Sequence, residues 1–169
     1  MLLMSTATHG VPDFRSATAK ANSLTEIYSS PPIPVLEIAE NNGVNVVFAG
    51  FGEYTETLAG YCDFRESRLY VNAHDLHQRQ SFTIAHELGH WLLHRDTLSD
   101  NPDKYPVLLR FSRPNGDNKL EMEANRFAAH LLVPDHLLKP IRRNVDNVAF
   151  LASLFQVSRT MMEIRLKGR

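Results

Sequence analysis

From Leu76 to Arg95 the apolar positions Phe82, Ile84, Ala85, Leu88, Trp91, Leu92 and Leu93 recur at helical spacing with no proline among them, which predicts one long helix. Upstream the rhythm is that of strands. Val44, Val46, Val47 and Phe48 are β-formers stopped by Ala49-Gly50-Phe51-Gly52. Further strands are expected near Leu58 to Phe64 and at Arg68 to Asn72, joined as a hairpin through Arg65-Glu66-Ser67. Before them, Pro34 opens a short helix with Val35, Leu36, Ile38 and Ala39 as its apolar stripe and Asn41-Asn42-Gly43 as its stop. Residues 1–16 are polar and irregular, and a short helix is expected in ATAKANSLTEIY ahead of the break Ser30-Pro31-Pro32-Ile33-Pro34.

Downstream, the stretch from Asp96 to Asn118 is polar and interrupted by prolines, and is expected to be a loop beside the functional site. A second long helix is expected from Lys119 to Leu132, and a third from Pro134. Residues 145–166 should form two helices meeting at Gln156-Val157-Ser158, with Ser158 as the N-cap of the last. This divides the chain into a leader (1–30), a core (31–140) and a helical C-terminal extension packed on it (141–169).

The motif helix contains His86-Glu87-Leu88-Gly89-His90, the pattern H-E-x-x-H. Residues four apart share a helix face, so both histidines can reach one ion, while the glutamate stands beside it as a general base for water. The pattern points to amide hydrolysis. Two histidines are half of a zinc site, so a third ligand must come from elsewhere. The helix from Lys119 offers Glu121 and Glu123. Glu121 shares a face with Asn125, which can hydrogen-bond a ligating histidine and fix its tautomer, whereas Glu123 has Phe127 at that offset and reads as a surface charge. Glu121 is therefore preferred.

Other histidines are weighed against ordinary roles. His94 has rotated by about 80° from His86 and is expected to cap the metal pocket or end the helix. His74 and His77 are expected in exposed loops, and His130 and His136 at the surface or in caps. Tyr61, Tyr70 and His74 are candidate donors to a tetrahedral oxyanion. Leu69 to Asn72, just before the motif helix, is expected to be a sheet edge to which an extended substrate peptide could add.

Composition narrows the setting. The 169 residues are 43% hydrophobic and 22% charged with a net charge of -1, as for one globular domain with no global attraction to nucleic acid or membrane. Cys62 is the only cysteine, which excludes an intrachain disulfide and a cysteine-ligated zinc. With no secretory signal or apolar run long enough to span a bilayer, a soluble, cytoplasmic protein is expected. The last thirty residues set six basic side chains (Arg142, Arg143, Arg159, Arg165, Lys167, Arg169) against Asp146 and Glu163, a basic end expected to be solvated. Its apolar spacing is like that of a helix-turn-helix, yet Met161, Met162 and Ile164 read as core, so packing or partner docking is expected over direct DNA contact.

TIAHELGHWLLH followed by E-x-E-A-N-R-F-A-A-x-L-L-V-P resembles the ImmA/IrrE family of bacterial and prophage zinc metallopeptidases, over about Pro34 to Leu166. The resemblance includes the LYVN strand and the RQ-SFTIAHELGH approach. It implies that His86, His90 and Glu121 hold the metal and that Glu87 is the catalytic base. It also implies a zincin-like α+β fold: a small three-stranded, mainly antiparallel sheet against the active-site helix and a second metal-ligand helix. Zinc is the expected ion, although manganese suits such a donor set too. The implied activity is endoproteolysis of a partner regulator, a helix-turn-helix repressor or antitoxin carried on a separate chain. The competing reading is a metal-binding partner or toxin component of a toxin-antitoxin or prophage pair that associates without cutting.

Overall fold

The computed structural model describes residues 10–99, 107–111 and 119–168. Its strands are β1 (Asn45–Ala49), β2 (Leu58–Asp63), β3 (Arg68–Asn72) and β4 (Val107–Phe111), in the spatial order β1-β3-β2-β4. β2 runs antiparallel to both β3 and β4, while β1 and β3 are parallel, so the sheet is mainly antiparallel. The three expected strands are present and β4 adds a fourth. It lies within the stretch expected to be a loop, as does a short helix, α4 (Arg95–Ser99); residues 100–106 and 112–118 of that stretch lie outside the described residues. Val107, Leu108, Leu109 and Phe111 are strand formers, and the free side of β2 supplies their hydrogen-bonding partner.

One expectation is corrected by the strand order. β3 is an inner strand, paired with β1 on one side and β2 on the other, so it offers no edge to a peptide. The β2–β3 hairpin folds back between β1 and β4, and its turn is tied by Asp63 Oδ1 accepting from the Arg65 and Glu66 amides. Leu69 and Val71 of β3 are wholly buried, as their central position requires.

Eight α-helices and a one-turn 3-10 helix (Gly52–Tyr54) occur among the described residues. α3 (His77–Leu93) lies on the sheet and is buried without interruption from Thr83 to Trp91. Ile84, Ala85, Leu88 and Trp91 join Leu69, Val71 and Phe127 in the core. α5 (Lys119–Leu132) packs along α3. The two backbones approach closely at Gly89, where a Cβ would stand 3.0 Å from Phe127 Cδ1 and 3.3 Å from the Ala124 Cα.

α1 (Phe14–Thr25) docks on α5 through Ala17 and Ala21, and Arg126 lies 4.6 Å from the Phe14 ring centroid. Asp13 caps α1 by accepting from the Ser16 amide. α2 (Val35–Asn41) is joined to α3 by Trp91 Nε1–H donating to Asn42 O. The chain closes with α6 (Asp135–Arg142), α7 (Val148–Phe155) and α8 (Arg159–Leu166). Gln156, at φ 54, turns the corner between the last two, and the Ser158 hydroxyl accepts from the Met161 amide. No helix among the described residues is long and apolar enough to cross a membrane.

The C-terminal basic end is only partly solvated. Arg165 is 7% exposed, donating from Nε to Val133 O at 3.0 Å and pairing with Asp135, so it fastens α8 to the start of α6. Replacing Arg165 by Met removes hydrogen bonds made by a charged group, worth about 2 kcal/mol. In a domain of this size that lowers the melting midpoint by about 4–8 °C. A thermal melt checks it, and an unchanged midpoint would return Arg165 to the solvated set.

Candidate metal centre

The centre is assembled by α3 and the first turn of α5. His86 Nε2 and His90 Nε2 stand 3.1 Å apart. Glu121 completes the triangle, with Oε2 3.1 Å from His86 Nε2 and Oε1 3.0 Å from His90 Nε2. The three residues form a group that can hold a metal ion. His86 and His90 are buried, and the Glu121 side chain is 16% exposed, leaving access on one side.

Both spacing and chemistry suit zinc. Ligands held about 2.0–2.1 Å from a tetrahedral zinc lie about 3.3 Å from one another, close to the separations here. His86 Nδ1–H donates to Asn125 Oδ1 at 2.8 Å, which places a hydrogen on Nδ1 and leaves Nε2, on the Glu121 side, for an ion. The structure thus brings Asn125 to the histidine it was expected to support. Burial pushes the Glu121 carboxyl up, but hydrogen bonding and charge from His86 and His90 outweigh this and hold it far below the usual carboxylate range. Glu121 is therefore an anionic donor at neutral pH.

Glu87 lies between the two histidines in the sequence and is wholly buried on α3. Its charge is felt by Cys62 of β2. Burial first, and then the negative charge of Glu87, raise the Cys62 thiol well above its ordinary value, so the thiol stays protonated.

His94 ends α3 as expected, while Glu123 takes a place the sequence reading missed. Glu123 is 7% exposed rather than a surface charge, and His94 is 3% exposed at the end of α3. Their side chains meet at 2.8 Å, and His94 Nδ1 lies 2.9 Å from His90 Nδ1. Burial and neighbouring His90 push the His94 imidazole below its ordinary value, against the pull of Glu123. The i, i+4 rule that linked Glu121 to Asn125 also links His90 to His94, and was the available signal.

The remaining candidates are placed elsewhere. Tyr61 and Tyr70 oppose each other across β2 and β3 with ring centroids 4.7 Å apart, a cross-strand stack. His74 is exposed, as is His77, which opens α3 rather than lying in a loop before it and whose Nε2 lies 3.2 Å from Gln156 Oε1. His136 is exposed on α6 and meets Tyr28 O at 2.9 Å. His130, expected at the surface, is instead buried, and its pKa is pushed down to about 4, by burial first and then by Arg165.

A helix carrying two histidines one turn apart, a buried glutamate between them in the sequence and a carboxylate from a second helix make up a group that could hold a metal ion in an α+β domain. The profile of the IrrE N-terminal-like domain (Peptidase_M78) matches residues 39–167, and the chain belongs to that family. No curated protein matches the chain. Among solved structures, a Mycobacterium tuberculosis transcriptional regulator is similar in fold, at a TM-score of 0.60 and 15% identity, over 88% of this chain and 44% of that one. The chain therefore spans less than half the length of that regulator.

Proposed function

We propose that this protein is a zinc-dependent endopeptidase that hydrolyses a peptide bond in a partner regulatory protein, a helix-turn-helix repressor or antitoxin. The observation that carries the reading is the convergence of His86, His90 and Glu121 within 3.1 Å of one another, on a helix that also carries the buried Glu87. The ion, when bound, supplies Lewis acidity and lowers the pKa of water from about 15.7 toward 7. His86, His90 and Glu121 hold it, and Asn125 keeps the His86 tautomer correct. Glu87 takes the proton of the attacking water and returns it to the departing amine.

Beside the group lies an apolar cavity of about 440 Å³ lined by Phe14, Phe82, Met122, Asn125, Met161 and Ile164. The Phe82 ring centroid is 6.2 Å from that of His86, so the cavity is placed to take an apolar side chain of the substrate. The partner class is what the resemblance of TIAHELGHWLLH and E-x-E-A-N-R-F-A-A-x-L-L-V-P to the ImmA/IrrE family implies.

The test is to incubate the purified protein and zinc with the helix-turn-helix regulator encoded beside it and to look for discrete fragments by mass spectrometry. Fragments are expected from wild type and are expected to vanish with chelator or with His86→Ala, His90→Ala or Glu121→Ala, each of which also loses zinc. A stable complex without fragments would favour the non-cutting partner, and zinc retained by all three variants would remove the metal centre from the reading.

A further inference from the structure

The hydrogen-bond chain behind His90 reaches further than the metal group needs for binding alone. His94 Nε2 lies 2.8 Å from Glu123 Oε2, and the other oxygen, Oε1, accepts the Asp13 amide N–H at 2.8 Å. Both carboxylate oxygens are thus used as acceptors. An ionised carboxylate only accepts, so His94 Nε2 carries the hydrogen that it donates. His94 is neutral when its Nδ1 has no hydrogen, and that lone pair meets His90 Nδ1 at 2.9 Å. His90 Nδ1–H is then the donor, and His90 Nε2 is left to offer its lone pair to an ion held between it, His86 and Glu121. Each link is buried or nearly so: His90 is 1% exposed, His94 3% and Glu123 7%.

We infer that Glu123 and His94 are positioning residues for His90, fixing its tautomer and ring orientation for metal binding, and that the Asp13 amide at the start of α1 closes the relay. His86 is served by one amide oxygen from Asn125, whereas His90 is served by an imidazole that is itself oriented by a carboxylate. The inference rests on the reading of His90 as a metal ligand. It adds that a segment distant in sequence, at Asp13, is tied to the ion through three successive hydrogen bonds.

The double-acceptor requirement makes Glu123→Gln informative. Gln has one acceptor oxygen, so it cannot accept from both the Asp13 amide and His94. If its NH2 faces His94, the His94 tautomer inverts, the hydrogen of His90 moves to Nε2, and the lone pair for the ion is lost. Glu123→Gln and His94→Phe are each expected to weaken zinc affinity by about 10- to 100-fold, measured by competition with a chromogenic chelator. His94→Asn should restore it to within about threefold of wild type, because Asn Oδ1 occupies the position of His Nδ1 and accepts as Asn125 does for His86. Adding Glu123→Gln to His94→Asn should then cost little more.

Nitrogen-15 NMR of the zinc-loaded wild type, which requires no variant to fold, should show hydrogen on His90 Nδ1 and on His94 Nε2. Hydrogen on His94 Nδ1 overturns the relay. So does unchanged zinc affinity in both Glu123→Gln and His94→Phe when His90→Ala has lost the ion. Zinc retained by His90→Ala overturns instead the ligand reading on which the relay rests.

Discussion

Glu87→Gln is expected to lower kcat/KM for a protein substrate by about 100- to 10,000-fold while leaving zinc affinity within about twofold of wild type. The expectation follows from where the residue sits. Its side chain is wholly buried on α3, and in the sequence it stands between the two histidines of the candidate metal group. Burying a carboxylate is costly unless the charge serves a purpose, and a purely structural site of His86, His90 and Glu121 needs none inside the motif. Cys62, the nearby group that could compete for a role in proton transfer, is held protonated by burial and by Glu87 itself. Glutamine keeps the volume and removes only the basicity, so the core around Leu88 and Ile84 is undisturbed. Turnover is followed by fragment release and zinc by stoichiometry after gel filtration. Cleavage at the wild-type rate would sink the assignment of base, and loss of the ion would make Glu87 a ligand.

That site was legible because it obeys short-range geometry. Four-residue spacing puts His86 over His90 and Glu121 beneath Asn125, and helical periodicity puts the first pair at the middle of α3. What was not legible depends on which elements meet in space. The order of strands is absent from any local rhythm, so β3, last before the motif helix, read as an edge although it lies between β1 and β2. β4 was hidden by the polar, proline-broken stretch around it, and only the open side of β2 makes Val107–Phe111 a strand. Glu123 meets His94 29 residues away and Arg165 meets Val133 O 32 residues away. Each looks like a solvated charge until its buried partner is known. The cost of burying a charge is then what identifies both as paired.

Gly60→Ala is expected to destabilise the fold by about 3 kcal/mol, the upper end of overpacking penalties, and to lower the melting midpoint by about 6–12 °C. A Cβ there would stand 2.4 Å from Tyr70 O and 2.6 Å from Thr83 Cγ2. Neither neighbour can step aside. Tyr70 O belongs to the backbone of an inner strand, and Thr83 is a β-branched, wholly buried residue of α3 with little rotamer freedom. The added methyl must therefore push α3 away from the sheet or break the β2–β3 ladder. Gly50→Ala is the control, since its Cβ would meet nothing nearer than His74 Nε2 at 3.6 Å; its stability should stay within about 0.5 kcal/mol of wild type. The consequence for the site follows from sequence position. Thr83 lies one turn before His86, and Gly89, where α5 presses on the opposite contact of α3, lies one residue before His90. One close approach thus lies just before H-E-x-x-H, against the sheet, and the other within it, against α5. A helix displaced at Thr83 moves His86 relative to Glu121, so Gly60→Ala should weaken zinc binding as well as lower stability. Destabilisation with unaltered zinc affinity would show that α5 alone sets the position of the ligands.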